Sequence, residues 1–197
     1  MGRVYVLIGK SSSGKDTIYK MLQENSQLHL KTVVGYTTRP IREGEKNGRE
    51  YFFVSEEERQ ALLAAGKVVE SRTYHTVHGD WHYFTADDGQ ISVEENAQDA
   101  LFISTLAGYE GLCRFYGKKN ICPIYVEVED GMRLKRAIER EMMQKTPKYQ
   151  ELCRRFLADS EDFSEERLLA AGIMKRYQNN DLEACIAEIT EDILRNR

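Results

Sequence analysis

The nonapeptide Gly9-Lys10-Ser11-Ser12-Ser13-Gly14-Lys15-Asp16-Thr17 directly follows the apolar run Val4-Tyr5-Val6-Leu7-Ile8. This order reads as a buried strand, a phosphate-cradling loop and the start of a helix. The glycines let successive backbone N–H groups turn inward around an anion, and Lys15 reaches the outer phosphates from the helix end. The chemistry expected is the binding of a nucleoside triphosphate. Asp16 stands where the motif calls for a Ser or Thr whose hydroxyl ligates Mg²⁺, and Thr17 follows it. Three readings are open: Asp16 approaches the ion through water, Thr17 supplies the hydroxyl, or Asp16 is a first-turn acid favoured by the helix N-terminus.

A second anion site is suggested by Thr37-Thr38-Arg39-Pro40-Ile41-Arg42-Glu43-Gly44-Glu45, with Gly48 and Tyr51 downstream. Arg39 and Arg42 offer bidentate donors to phosphate oxygens, and the Tyr51 hydroxyl can complete such a site without adding charge. The alternative is an exposed basic turn. A triphosphate site that needs an acceptor favours the phosphate reading.

These groups must be held by a scaffold. Apolar residues at helical spacing follow the loop at Ile18, Met21 and Leu22. Further strands are expected at Leu30 to Val34, Ala100 to Ser104, Ile121 to Val126 and Gly172 to Tyr177, with helices from Leu106 and from Met132. Such alternation predicts an α/β fold with a parallel, five-stranded core sheet flanked by helices. The stretch 36–85 breaks the rhythm and is expected to be an inserted acceptor lobe. Its one helix has a capping box at Ser55-Glu56-Glu57-Glu58 and a stop at Gly66. The charged stretch 136–164, with Arg140, Arg154 and Arg155, is expected to form a helical lid, or else a solvated face. The core then comprises 1–35, 86–135 and 165–197, ending in a helix capped within Asn179-Asn180-Asp181.

Composition limits the partners. Lys and Arg number 28 against 32 Asp and Glu, so no overall basic field recruits nucleic acid. Cys113, Cys122, Cys153 and Cys185 are irregularly spaced, which predicts free thiols and a reducing, cytoplasmic setting. No apolar stretch reaches the ~20 residues of a membrane span, and the chain start has no signal-peptide pattern. A monomer or homodimer is expected. His75, His78 and His82 invite a metal reading, but residues three apart on a strand point to opposite faces. Trp81 and Tyr83 suit either base stacking or the small core of the lobe.

Taken together, the P-loop, Thr-Thr-Arg39-Pro-x-Arg42-x-Gly44-Glu45, Gly48-x-x-Tyr51-x-Phe53-Val54 and Glu70 resemble the guanylate kinase family. The resemblance runs over essentially the whole chain. It implies a P-loop nucleoside monophosphate kinase fold and transfer of a phosphoryl group from ATP to GMP with Mg²⁺. It further implies that Arg39, Arg42 and Tyr51 hold the acceptor phosphate and that Glu70 faces the guanine edge. Arg140 and Arg155 match the lid arginines, and Asn179 matches a position beside the donor adenine.

Three departures thin the base site of that family. Gly35 replaces a Ser, Thr105 replaces an Asp in the segment leading to Gly108, and Gly79-Asp80-Trp81-His82-Tyr83-Phe84-Thr85 replaces a Gly-x-Tyr-Tyr-Gly-Ser/Thr turn. Tyr83 and Thr85 are the expected substitutes there. Each lost contact relaxes discrimination by roughly 1–3 kcal/mol. Glu70 still favours guanine, because a carboxylate accepts from both the ring N–H and the amino group. The rival expectations are a kinase for another phosphorylated small molecule, such as a ribose bisphosphate, and a phospho-ligand binding module. A regulatory GTPase is disfavoured, since Asn-Lys-x-Asp and Asp-x-x-Gly motifs are absent.

Overall fold

The computed structural model describes residues 2–76 and 79–196, so His78 lies outside the described residues. In chain order the first elements are β1 (Val4–Ile8), α1 (Lys15–Glu24), β2 (Lys31–Thr32), β3 (Tyr36–Thr37) and β4 (Phe52–Phe53). Next come α2 (Glu56–Ala64), β5 (Val68–Thr76), β6 (Gly79–Ala86), β7 (Ala100–Ile103) and α3 (Leu106–Tyr116). The chain continues through β8 (Ile121–Glu127), α4 (Asp130–Met142), α5 (Tyr149–Asp162), α6 (Glu165–Ala170), β9 (Tyr177–Gln178) and α7 (Leu182–Arg195). One sheet has the order β2-β7-β1-β8-β9, with β2 parallel to β7 and β8 parallel to β9. The other has the order β4-β3-β6-β5. No helix among the described residues is long and apolar enough to cross a membrane.

By contact density the chain resolves into two compact units. The first comprises 1–4, 31–102 and 107–122, and the second 5–30, 103–106 and 123–197.

The second unit carries the P-loop. All five residues of β1 are buried, as expected of a continuous apolar run flanked on both faces. Helix α1 buries Ile18 and Leu22 completely, whereas Met21 is 39% exposed. Ile18 and Leu22 are four apart and share one stripe, while Met21 turns away from it. The final strand is later and shorter than expected. Gly172, at φ 78°, takes the left-handed position after α6, and the Gly172 and Ile173 amides donate to Leu169 and Leu168. Those residues therefore close a helix before β9 begins. Asp181 caps α7 by accepting from the Ala184 amide.

In the first unit, β2 is confined to two residues because Val34 leaves the ladder. The Val34 amide donates to Gln90 Oε1 and its carbonyl accepts from Gln90 Nε2. Within the antiparallel β5–β6 hairpin, Glu70 lies opposite Thr85, Arg72 opposite Tyr83 and Tyr74 opposite Trp81. Phe84, on the other face of β6, is 1% exposed and stacks on Tyr36, which in turn meets Phe52. That aromatic trio is the core of this sheet. Trp81, Tyr83 and Thr85 share the opposite face. His75 pairs with Asp80, and His82 with Thr73 and Glu56.

Helix α2 carries the expected capping box, with Ser55 accepting from the Glu58 amide and Glu58 accepting from the Ser55 amide. Ser55→Ala is expected to lower stability by about 1 kcal/mol. Urea denaturation would show it as a lower midpoint at unchanged slope, and an unmoved midpoint would remove the cap from the account.

Candidate active site

The residues expected to hold the donor lie within the second unit. Gly14 ends the loop at φ 86°, and a Cβ there would lie 2.4 Å from Asn179 Nδ2, so only glycine fits. Asn179 is 4% exposed, and its Nδ2 donates to the Ser13 carbonyl at 2.8 Å. Arg136 in turn donates to the Asn179 carbonyl. Asn179 thus braces the loop from behind. The amides of Ser12, Gly14 and Lys15 have no partner among the described residues, nor does the Lys15 ammonium. The buried Ser13 hydroxyl is likewise unpartnered. Unsatisfied donors turned into one loop are what an anion site requires. Asp16 and Thr17 lie exposed in the first turn of α1.

Lys10 is committed elsewhere, with its Nζ 3.2 Å from Asp130 Oδ1. Ser11 is also held: its amide donates to Asp159 Oδ2 at 2.7 Å, and its carbonyl accepts from Arg133 at 3.0 Å. Arg133 is 1% exposed, pairs with Asp130 and Asp159, and lies over the Phe156 ring at 4.6 Å. Helices α4 and α5 are therefore bolted to the front of the P-loop. Their arginines join it: Arg140 donates to Ser12 Oγ at 3.3 Å, and Arg140, Arg155, Ser11 and Ser12 line one cavity. Arg155 also approaches Glu151 at 3.6 Å.

The residues expected to hold the acceptor lie in the first unit and fall into two groups. Arg39, 4% exposed, donates from Nε to the Tyr83 hydroxyl and grips Glu45 with both terminal nitrogens, at 2.7 and 2.6 Å. Tyr51 lies 5.5 Å from the same guanidinium and meets Tyr83 edge-on. Arg42 is exposed, and its backbone amide donates to Glu45. The second group is Glu70, whose carboxylate accepts from Thr85 Oγ1 at 2.7 Å and from Arg72. Gly111 of α3 packs against it: a Cβ there would come within 2.4 Å of Glu70 Cβ.

Sequence pattern alone assigns no role to Glu45, Arg72, Gly111, Arg133 or Asp159. Glu45 has a signal, since it closes the Arg39-containing motif. Arg133 and Asp159 have none, because both sit in stretches of ordinary surface charge.

The hydrogen bond from Arg39, with smaller help from the Arg42 amide, holds the Glu45 carboxyl down at about 2. A depressed folded pKa contributes stability that is complete above the ordinary carboxylate value and is lost as pH falls through the folded one. Glu45→Gln is therefore expected to flatten the loss of stability between about pH 4.5 and 2. Urea midpoints across that range test this, and parallel curves for both proteins would reject it.

A strand ending in a phosphate loop, an uncommitted lysine, cation-bearing helices bolted to that loop and a separate arginine-tyrosine cluster together define a P-loop kinase. A family model described as guanylate kinase matches residues 1–101. The guanylate kinase of Porphyromonas gingivalis is 25% identical over 98% of this chain and 97% of its own length. Those of Malacoplasma penetrans and Neisseria gonorrhoeae are 42% and 39% identical, over 55% and 51% of this chain and 58% and 46% of their own lengths. Among solved structures, guanylate kinase from Anaplasma phagocytophilum shares the fold with a TM-score of 0.65 at 21% identity, covering 98% of this chain and 85% of that one. The chain belongs to the guanylate kinase family.

Proposed function

We propose that this protein transfers the γ-phosphoryl group of ATP to GMP, yielding ADP and GDP. The observation that carries the choice of acceptor is Glu70, a carboxylate with a 4% exposed side chain, fixed by Thr85 in the same lobe as the arginine-tyrosine cluster. Guanine presents two adjacent donors to such a group. Adenine presents an acceptor at the ring nitrogen and is repelled.

Under this reading the loop amides and Lys15 hold the donor phosphates, and Asn179 keeps the loop in shape for them. Asp16 and Thr17 are hard oxygen donors at the first turn of α1 and fit Mg²⁺. When bound, that ion neutralises phosphate charge. Arg39, Arg42, Tyr51 and Tyr83 hold the acceptor phosphate, while Glu70 and Thr85 orient its base. Arg140 and Arg155 stabilise charge that develops on the transferred group. Little covalent chemistry is asked of the protein beyond alignment and charge compensation. The cytoplasm, with its ATP and nucleoside monophosphates, is the compartment this reaction implies, and all four cysteines are free thiols.

The test is ADP release with Mg-ATP against GMP, dGMP, AMP, CMP, UMP and ribose bisphosphate, with product identity established. Turnover confined to GMP and dGMP is expected. Turnover only with another acceptor would keep the kinase and reject GMP. Arg39→Ala is expected to raise the GMP KM about 100-fold, as loss of a charged hydrogen-bond donor predicts. An unchanged KM would remove Arg39 from the phosphate site.

A further inference from the structure

We infer that Arg72 is a specificity-determining residue of the acceptor site, because its guanidinium occupies the acceptor positions on Glu70 that a guanine edge has to use. The inference rests on the proposed GMP reading and deepens it.

Residues 70 and 72 alternate along β5 and so share a face with their partners Thr85 and Tyr83 on β6. Arg72 Nε donates to Glu70 Oε2 at 3.1 Å and its NH2 group to Oε1 at 3.3 Å. Thr85 already donates to Oε1 at 2.7 Å. A carboxylate offers about four acceptor positions, so three are taken. Guanine contains a guanidine unit, and its ring N–H and amino group form the same two-pronged donor as an arginine side chain. One vacant position does not serve two donors. A guanine base therefore has to exchange its own fork for that of Arg72.

The geometry permits that exchange. Charge-assisted pairs of good alignment close to about 2.7–2.9 Å, and both Arg72 contacts are longer. Arg72 keeps 23% of its side chain exposed against 4% for Glu70, so of the two it is the one more open to water. Thr85 remains as the fixed donor. The consequence is a weaker grip on GMP than Glu70 alone would give, with no effect on the phosphoryl step, from which Arg72 is chemically separate.

The experiment compares the wild-type protein with Arg72→Met and Arg72→Lys, reading GMP Kd by calorimetry, and GMP KM and kcat at saturating Mg-ATP. Arg72→Met is expected to lower the GMP Kd and KM about tenfold, the scale of one charged hydrogen bond, with kcat unchanged and no gain for AMP. Arg72→Lys keeps the charge without the fork and should fall between. If the Met variant does not fold, the Lys variant decides alone. A GMP KM that is unchanged or raised, while the wild type phosphorylates GMP, overturns the role of Arg72 and leaves the reaction standing. A wild type that neither binds nor phosphorylates GMP overturns the acceptor reading, and this inference with it.

Discussion

Replacing Lys15 with alanine is expected to reduce phosphoryl transfer about 1000-fold, the scale seen when a preorganised electrostatic group is removed from a transition state. The side chain stands at the first residue of α1, and its ammonium has no partner among the described residues. It is available to the donor phosphates, where Lys10 is not, because Lys10 pairs with Asp130. The loop amides remain in the variant, so ATP still binds, but the compensating charge is lost when phosphate charge redistributes. GMP affinity should be intact, since the acceptor residues belong to the other compact unit. Single-turnover kinetics with calorimetric GMP binding separate the two effects. Retained turnover would show that another cation holds the donor. Lost GMP binding would show that the substitution damages more than the P-loop.

The second large effect concerns stability. Arg133→Met is expected to destabilise the protein by about 3–5 kcal/mol, as removing one partner of a buried ion pair does. The guanidinium is 1% exposed and joins Asp130, Asp159 and the Ser11 carbonyl. Without it, the Ser11 carbonyl loses that donor and Asp159 retains only the Ser11 amide among these groups. Methionine keeps the apolar stem over Phe156, so packing changes little and charge changes most. Adding Asp159→Asn removes the uncompensated carboxylate and should recover part of the loss, which a double-mutant cycle measures as coupling. A single-variant loss under about 1 kcal/mol would contradict the buried-charge argument. Because the same network positions the front of the P-loop, the ATP KM of the variant should rise as well.

Elements carried by local pattern are legible in the order of residues alone. The continuous apolar run at Val4–Ile8 can be satisfied only by burial on both faces, and Gly14-Lys15 after it requires a loop that presents amides. The capping box at Ser55, the stop at Gly66 and the N-cap at Asp181 are set by hydrogen bonds within a few residues of one another. The chemical types of Arg39, Arg42 and Tyr51 suggest a phosphate site, whereas the expectation that Glu70 reads a base comes from the family resemblance. Other features depend on partners far away in the chain. The shortness of β2 comes from Gln90, which takes both polar groups of Val34. The face on which Trp81 and Tyr83 lie follows from β5–β6 register, since a shift of one residue reverses every side chain. Arg133 and Asp159 look like surface charge until α4 and α5 bring them against Ser11, 122 and 148 residues away. Arg72 gains meaning only beside Glu70 in a folded strand. A sequence of one chain specifies which groups exist and how nearby backbone is capped; which distant charges are buried together is decided by packing, where desolvation forces each to find a partner.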